Sequence, residues 1–96
     1  MEVTYHPLAE RDVLEILRYY RAISQKLEEE IHEELREILA KVARNPLGFH
    51  SVGNRFRRAN LQRFPYHVLY DFRADIICIM VVRHNKRRPE FGLERA

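Results

Sequence analysis

Ninety-six residues, 46% of them apolar and 32% charged, predict one folded domain spanning residues 1–96 and exclude a disordered chain. No apolar run approaches the roughly 20 residues that a membrane-spanning helix needs, and the first residues do not read as a signal peptide. The net charge of +3 is unevenly spread: residues 1–53 carry seven Lys or Arg against ten Asp or Glu, and residues 54–96 carry ten against four. A cationic second half points to an anionic partner, either nucleic acid or an acidic protein segment. The single cysteine, Cys78, leaves no internal disulfide and no cysteine-based zinc site, and it suits a reducing cytoplasm.

In chain order, Glu2 to Tyr5 alternates polar and apolar residues and predicts a short first strand. Pro7 fits the first turn of a helix, where its missing N–H costs nothing. Glu10 and Asp12 then lie near the positive end of the helix dipole. Ala9, Val13, Ile16, Leu17 and Tyr20 share one face, which predicts a helix over residues 7–22. Ser24 is a suitable N-cap for a second helix. Leu27, Ile31, Leu35, Ile38 and Val42 recur at every third or fourth position, the strongest periodic signal in the chain. Glu28, Glu29, Glu33, Glu34 and Glu37 read as the solvated face of that helix. His32 beside them lacks a second His or Cys at ligand spacing, so no metal is implied. Asn45-Pro46 ends the helix and Gly48 permits the turn after it. The short link between the helices makes them an antiparallel hairpin.

Phe49 to Asn54 reads as a loop. A basic strand, Arg55 to Arg63, follows it, and Phe64-Pro65 breaks that strand from an aromatic one, Tyr66 to Phe72. Arg73-Ala74-Asp75 is a tight hairpin turn. Ile76 to Val82 shows no alternation and predicts a central strand buried on both faces. The order β-α-α-β-β-β predicts an α+β domain, with the helical hairpin packed on one face of a mainly antiparallel sheet. Pro89 to Ala96 reads as a short irregular tail anchored by Phe91.

The candidate functional residues are the cations of this second half. Arg55, Arg57, Arg58, Arg63, Arg83, Lys86, Arg87 and Arg88 suit phosphate contact, because a planar guanidinium donates two hydrogen bonds at once. The same cations suit capture of an acidic peptide. RNA cleavage is a third reading: it needs a base for the 2′-hydroxyl, an acid for the leaving oxygen and cations for the phosphorane. His67 and His84 are the residues near the basic tip with suitable unperturbed pKa values. Tyr66 and Tyr70 share one strand face and read as sheet packing. No phosphate loop, nucleophile elbow or helix-borne metal pair occurs, and no cofactor is implied.

The run RANLQRFPYHVLYDF, followed by IICIMVVRHNKRRPEF, resembles the RelE/ParE superfamily of type II toxin–antitoxin toxins. The ending His84-Asn85-Lys86-Arg87-Arg88-Pro89, with Phe91 beyond, matches the superfamily's His-x-x-Arg-x-Pro pattern, and the helical hairpin opening near Pro7-Leu8-Ala9-Glu10 matches as well. The resemblance implies a β-α-α-β-β-β fold, a cytoplasmic location, a cognate antitoxin that wraps the toxin, and a homodimer or a toxin–antitoxin hetero-oligomer. It also implies one of two activities, ribosome-dependent mRNA cleavage in RelE-like members or inhibition of DNA gyrase in ParE-like ones. For cleavage it points to Arg58, His67 and Arg87, with Asn60 standing where a second strand lysine would be; His84, near the tip and with a suitable unperturbed pKa, completes the cleaving set. No tyrosine follows Arg87, and Phe91 cannot transfer a proton. The RFPY and His-x-x-Arg-x-Pro pattern is similar to the ParE-like side, where Arg55, Arg57, Arg63, Arg83, Lys86 and Arg88 would contact target or antitoxin. A degenerate member that only binds an antitoxin is the remaining alternative.

Overall fold

The computed structural model describes residues 1–96. β1 (Glu2–Tyr5) leads into α1 (Pro7–Ile23) and α2 (Gln25–Arg44), and β2 (His50–Val52), β3 (Phe56–Asn60), β4 (Tyr66–Arg73) and β5 (Ile76–His84) follow. The strands form a five-stranded sheet of order β1-β5-β4-β3-β2. Only β1 and β5 are parallel; the other neighbours run antiparallel. The α+β architecture expected from the sequence is present, with β2 as an added strand. Residues 49–54 are therefore not all loop. His50-Ser51-Val52 is too short to show a period of its own and becomes a strand by pairing with β3.

Local chemistry sets the helix ends. The His6 Nδ1 atom accepts the Leu8 N–H at 3.0 Å, and Pro7 occupies the first helical turn. Ser24 serves both helices. Its backbone N–H donates to the Tyr20 carbonyl at the end of α1, and its Oγ accepts the Leu27 N–H at 3.1 Å at the start of α2. Such an N-cap contributes about 1 kcal/mol. Ile31, Leu35, Ile38 and Val42 of α2 are buried and pack over the sheet with Val68, Tyr70, Ile77 and Ile79. Each such side chain stabilises the fold by about 1.5–3 kcal/mol. The Tyr70 hydroxyl donates to the Pro46 carbonyl at 2.5 Å, so the buried phenol keeps a polar partner.

The unalternating run in β5 has two causes. The strand is central, between β1 and β4. It also carries a β-bulge: Leu69 faces Val81 and Tyr70 faces Ile79, so Met80 has no partner in β4. The extra residue shifts the facing pattern. Ile77, Ile79 and Val82 join the core under the helices, while Met80 and Val81 join a second cluster with Phe56 and Leu69. The β4–β5 turn has Ala74 and Asp75 at φ 52° and 62°, as a two-residue type I′ hairpin requires.

That second cluster lies on the other face of the sheet, and the C-terminal residues cover it. The tail is irregular, as expected, but it is built into the fold rather than loosely attached. Phe91 packs against the second cluster. Gly92 adopts φ +83°, and a Cβ there would stand 2.6 Å from a Val81 methyl, so the close approach needs glycine. Buried Arg95 donates to both carboxylate oxygens of Asp12, at 2.7 and 3.1 Å, and to the Met80 carbonyl at 2.8 Å. Asp12 also accepts the Val82 N–H at 2.9 Å. β1 pairs with β5 only as far as Tyr5 and Ile79, so this ion pair satisfies the edge of β5 beyond the end of β1. Asp12 is thus more than a charge near the helix dipole.

Candidate functional site

The structure divides the eight candidate cations by use. Successive β3 residues point to opposite faces, which separates Arg57 from Arg58. Arg57 donates to the backbone carbonyls of Phe49 and Leu47, at 2.7 and 3.3 Å. Arg55 pairs with Asp71 at 3.2 Å and donates to the Arg95 carbonyl at 2.8 Å. Arg63 pairs with Glu30 of α2 and stacks on Phe64. Arg83 is buried, and its Nη1 donates to three tail carbonyls, those of Arg88, Pro89 and Phe91. Burial, then the charge of Arg58, holds its pKa below the ordinary arginine value, and Glu90 offsets part of that. Arg55, Arg57 and Arg83 thus hold backbone in place.

The α2 acidic face is not wholly solvated either. Glu34 accepts the backbone N–H groups of Gln62, Arg63 and Phe64, at 3.0 to 3.3 Å. It thereby fixes the β3–β4 turn, and β3 ends at Asn60 rather than Arg63. An anionic side chain suits this turn because consecutive N–H groups there point outward together.

His67 is 1% exposed and lies on the tail side of the sheet. Arg83 Nε donates to its Nε2 at 2.9 Å, and its Nδ1 lies 2.8 Å from Asn85 Oδ1. An arginine can only donate, so Nε2 carries the lone pair and Nδ1 the proton, and the ring is neutral. Burial lowers its pKa, the Asn85 hydrogen bond opposes this, and Arg58, Arg83 and His84 add to the lowering. We expect the His67 ring to titrate below the ordinary value of 6.5 in an NMR pH series. The sign for stability follows. The unfolded ring binds its proton first, so this contribution is complete above about pH 6.5 and is lost as pH falls toward the folded pKa. A midpoint at or above 6.5 would contradict a buried ring that is held neutral against the Arg83 donor.

The candidate cations beyond β5 are the ones left for a partner. Lys86, Arg87 and Arg88 are exposed; Arg87 stacks over Phe91 at 4.2 Å, and Arg88 makes only a 3.8 Å contact with Glu90. His84 Nδ1 accepts the Lys86 N–H at 3.0 Å, which folds the tip back over the strand end. Arg58 is half-buried on β3 and donates to Asn60 Oδ1 at 2.8 Å. Of the four residues assigned to cleavage, Arg58 and His67 lie on the tail side of the sheet, while His84 and Arg87 border a cleft facing α1. That cleft, of about 400 Å³, lies between α1 and the tip, with Ile16, Tyr66 and Phe91 among its apolar lining. Tyr66 stacks edge-on against His84 at 5.1 Å; burial and a Tyr20 hydrogen bond push its hydroxyl up to about 12. A second, more apolar groove runs between α1 and α2, lined by Tyr5, Val13, Leu14, Leu17 and Leu39.

Sequence reasoning missed Asp12, Glu34 and Arg95. The one available signal was a charged residue, Asp12, within the apolar face of α1. Its partner stands 83 positions away, which no local pattern reaches. A family model described as "ParE toxin of type II toxin-antitoxin system, parDE" matches residues 3–89. No curated protein matches the sequence.

Proposed function

This chain belongs to the ParE toxin family of type II toxin–antitoxin systems, and on that premise we propose that it inhibits DNA gyrase by direct protein contact through the basic tip. The observation that carries this reading is the contrast between His67 and the tip. Both His67 ring nitrogens are engaged and the ring is 1% exposed, while Lys86, Arg87 and Arg88 stand exposed to a partner. A general base must reach the proton it abstracts, and a buried, doubly hydrogen-bonded ring is poorly placed to do so. Exposed cations around an aromatic suit protein recognition, where Arg and aromatic side chains carry most of the binding energy. On this reading the toxin acts in the cytoplasm until its antitoxin covers it. The groove between α1 and α2 fits the antitoxin's apolar anchors, since Leu14 there is 53% exposed.

Tightly controlled expression in bacteria, with plasmid supercoiling and transcript integrity read together, tests the proposal. Growth arrest with disturbed supercoiling and intact transcripts is the expected result. Arg87→Glu should relieve the arrest. Early cleavage of translated messages would instead favour a ribosome-dependent nuclease using Arg58, His67, His84 and Arg87. Loss of its acid or base then slows cleavage by about 10²-fold or more. Absence of any arrest would favour a member that only binds its antitoxin.

A further inference from the structure

The cleft beside the tip has a wall that neither the arginine-rich segment nor the family pattern points to. Helix α1 supplies it through Glu15, Ile16 and Tyr19. Tyr19 is 60% exposed, although its ring is braced edge-on by Tyr20 at 5.1 Å. An exposed aromatic held in a fixed orientation loses little freedom when a partner packs on it. Across the cleft, Lys86 and Arg87 form no ion pair, and Arg87 is steadied by its stacking on Phe91. Asp12 also borders the cleft, but its carboxylate is taken up by Arg95 and the Val82 N–H. Glu15 is then the one lining carboxylate without a partner, set against two free cations and His84. The volume of about 400 Å³ falls within the range of about 300–1,000 Å³ typical of binding clefts.

We infer that this cleft receives a segment of the target carrying an apolar side chain beside a carboxylate. The apolar group packs between Tyr19, Ile16 and Tyr66, and the carboxylate meets Arg87 and Lys86. Tyr19 thus becomes a binding residue on α1, and Glu15 tunes specificity by repelling the incoming carboxylate. The inference rests on the gyrase reading and names the surface that contact would use.

The test uses the purified full chain, purified DNA gyrase and relaxed plasmid, and measures the toxin concentration that half-inhibits supercoiling. Tyr19→Ala should raise that concentration about tenfold or more, the size of a buried aromatic contact. Tyr19→Phe should stay near wild type, because packing rather than the hydroxyl is invoked. Glu15→Gln should lower the concentration by removing the repulsion. Thermal melting of Glu15→Gln and Tyr19→Phe should match wild type, and Tyr19→Ala, which loses only the edge contact with Tyr20, should stay folded at the assay temperature. Wild type that inhibits, with Tyr19→Ala inhibiting equally well, overturns the cleft and leaves the gyrase reading standing. A Glu15→Gln variant that inhibits less overturns the acidic occupant in favour of a cationic one. Wild type that fails to inhibit removes the gyrase reading, and the inference falls with it.

Discussion

Replacing Asp12 by alanine lowers the stability of the fold by about 3–5 kcal/mol, measured by urea unfolding near neutral pH. The substitution removes the sole anion facing Arg95, a side chain 7% exposed. A buried guanidinium without its carboxylate costs far more than a lost surface ion pair, worth about 0–1 kcal/mol. The Val82 N–H loses its acceptor as well. Small domains are stable by about 5–15 kcal/mol, so the variant approaches the unfolding threshold. Exchanging both partners for apolar residues recovers only part of the loss. The Val82 N–H and Met80 carbonyl would remain unpaired at the β5 edge, and each buried orphan costs about 1–3 kcal/mol. A loss below about 1 kcal/mol for Asp12→Ala would show that the pair is solvated and that the edge of β5 is satisfied by water.

The same pair marks where the sequence stops being legible. Elements that rest on local chemistry could be read directly. The α2 stripe from Leu27 to Val42, the Ser24 cap, the Arg73-Ala74-Asp75 turn and the central place of β5 all follow from spacing and turn residues, and all are present. Features made by distant partners could not be read. Arginine looks the same in a sequence whether its guanidinium faces a phosphate or a carbonyl. Arg87 and Arg83 stand four positions apart, yet one is exposed and the other holds three tail carbonyls. The basic segment therefore overstated the cationic surface, because Arg55, Arg57 and Arg83 hold backbone atoms. The surroundings of His67 were hidden for the same reason. Its unperturbed pKa suits catalysis, but only the β4–β5 register shows it opposite Arg83, hydrogen-bonded through both ring nitrogens.

Replacing Arg83 by methionine releases the tail from the second face of the sheet. Methionine fills a similar apolar volume, so the packing term is small and the hydrogen bonds decide the outcome. The three tail carbonyls and the His67 Nε2 atom lose their donor together. Hydrogen bonds from a charged group contribute about 1.5–3 kcal/mol each, but bonds sharing one side chain do not add. Freed carbonyls can also turn to water. A loss of about 3–4 kcal/mol is expected, with faster amide exchange over residues 85–96. Arg95 sits in that same tail, so its bonds to Asp12 depend on the anchor that Arg83 provides. The two arginines are therefore coupled. Arg83→Met and Arg95→Met combined should cost less than the sum of the single losses, by about 0.5–3 kcal/mol in a double-mutant cycle. Strictly additive losses would mean that each arginine holds its own residues and that the tail does not dock as a unit.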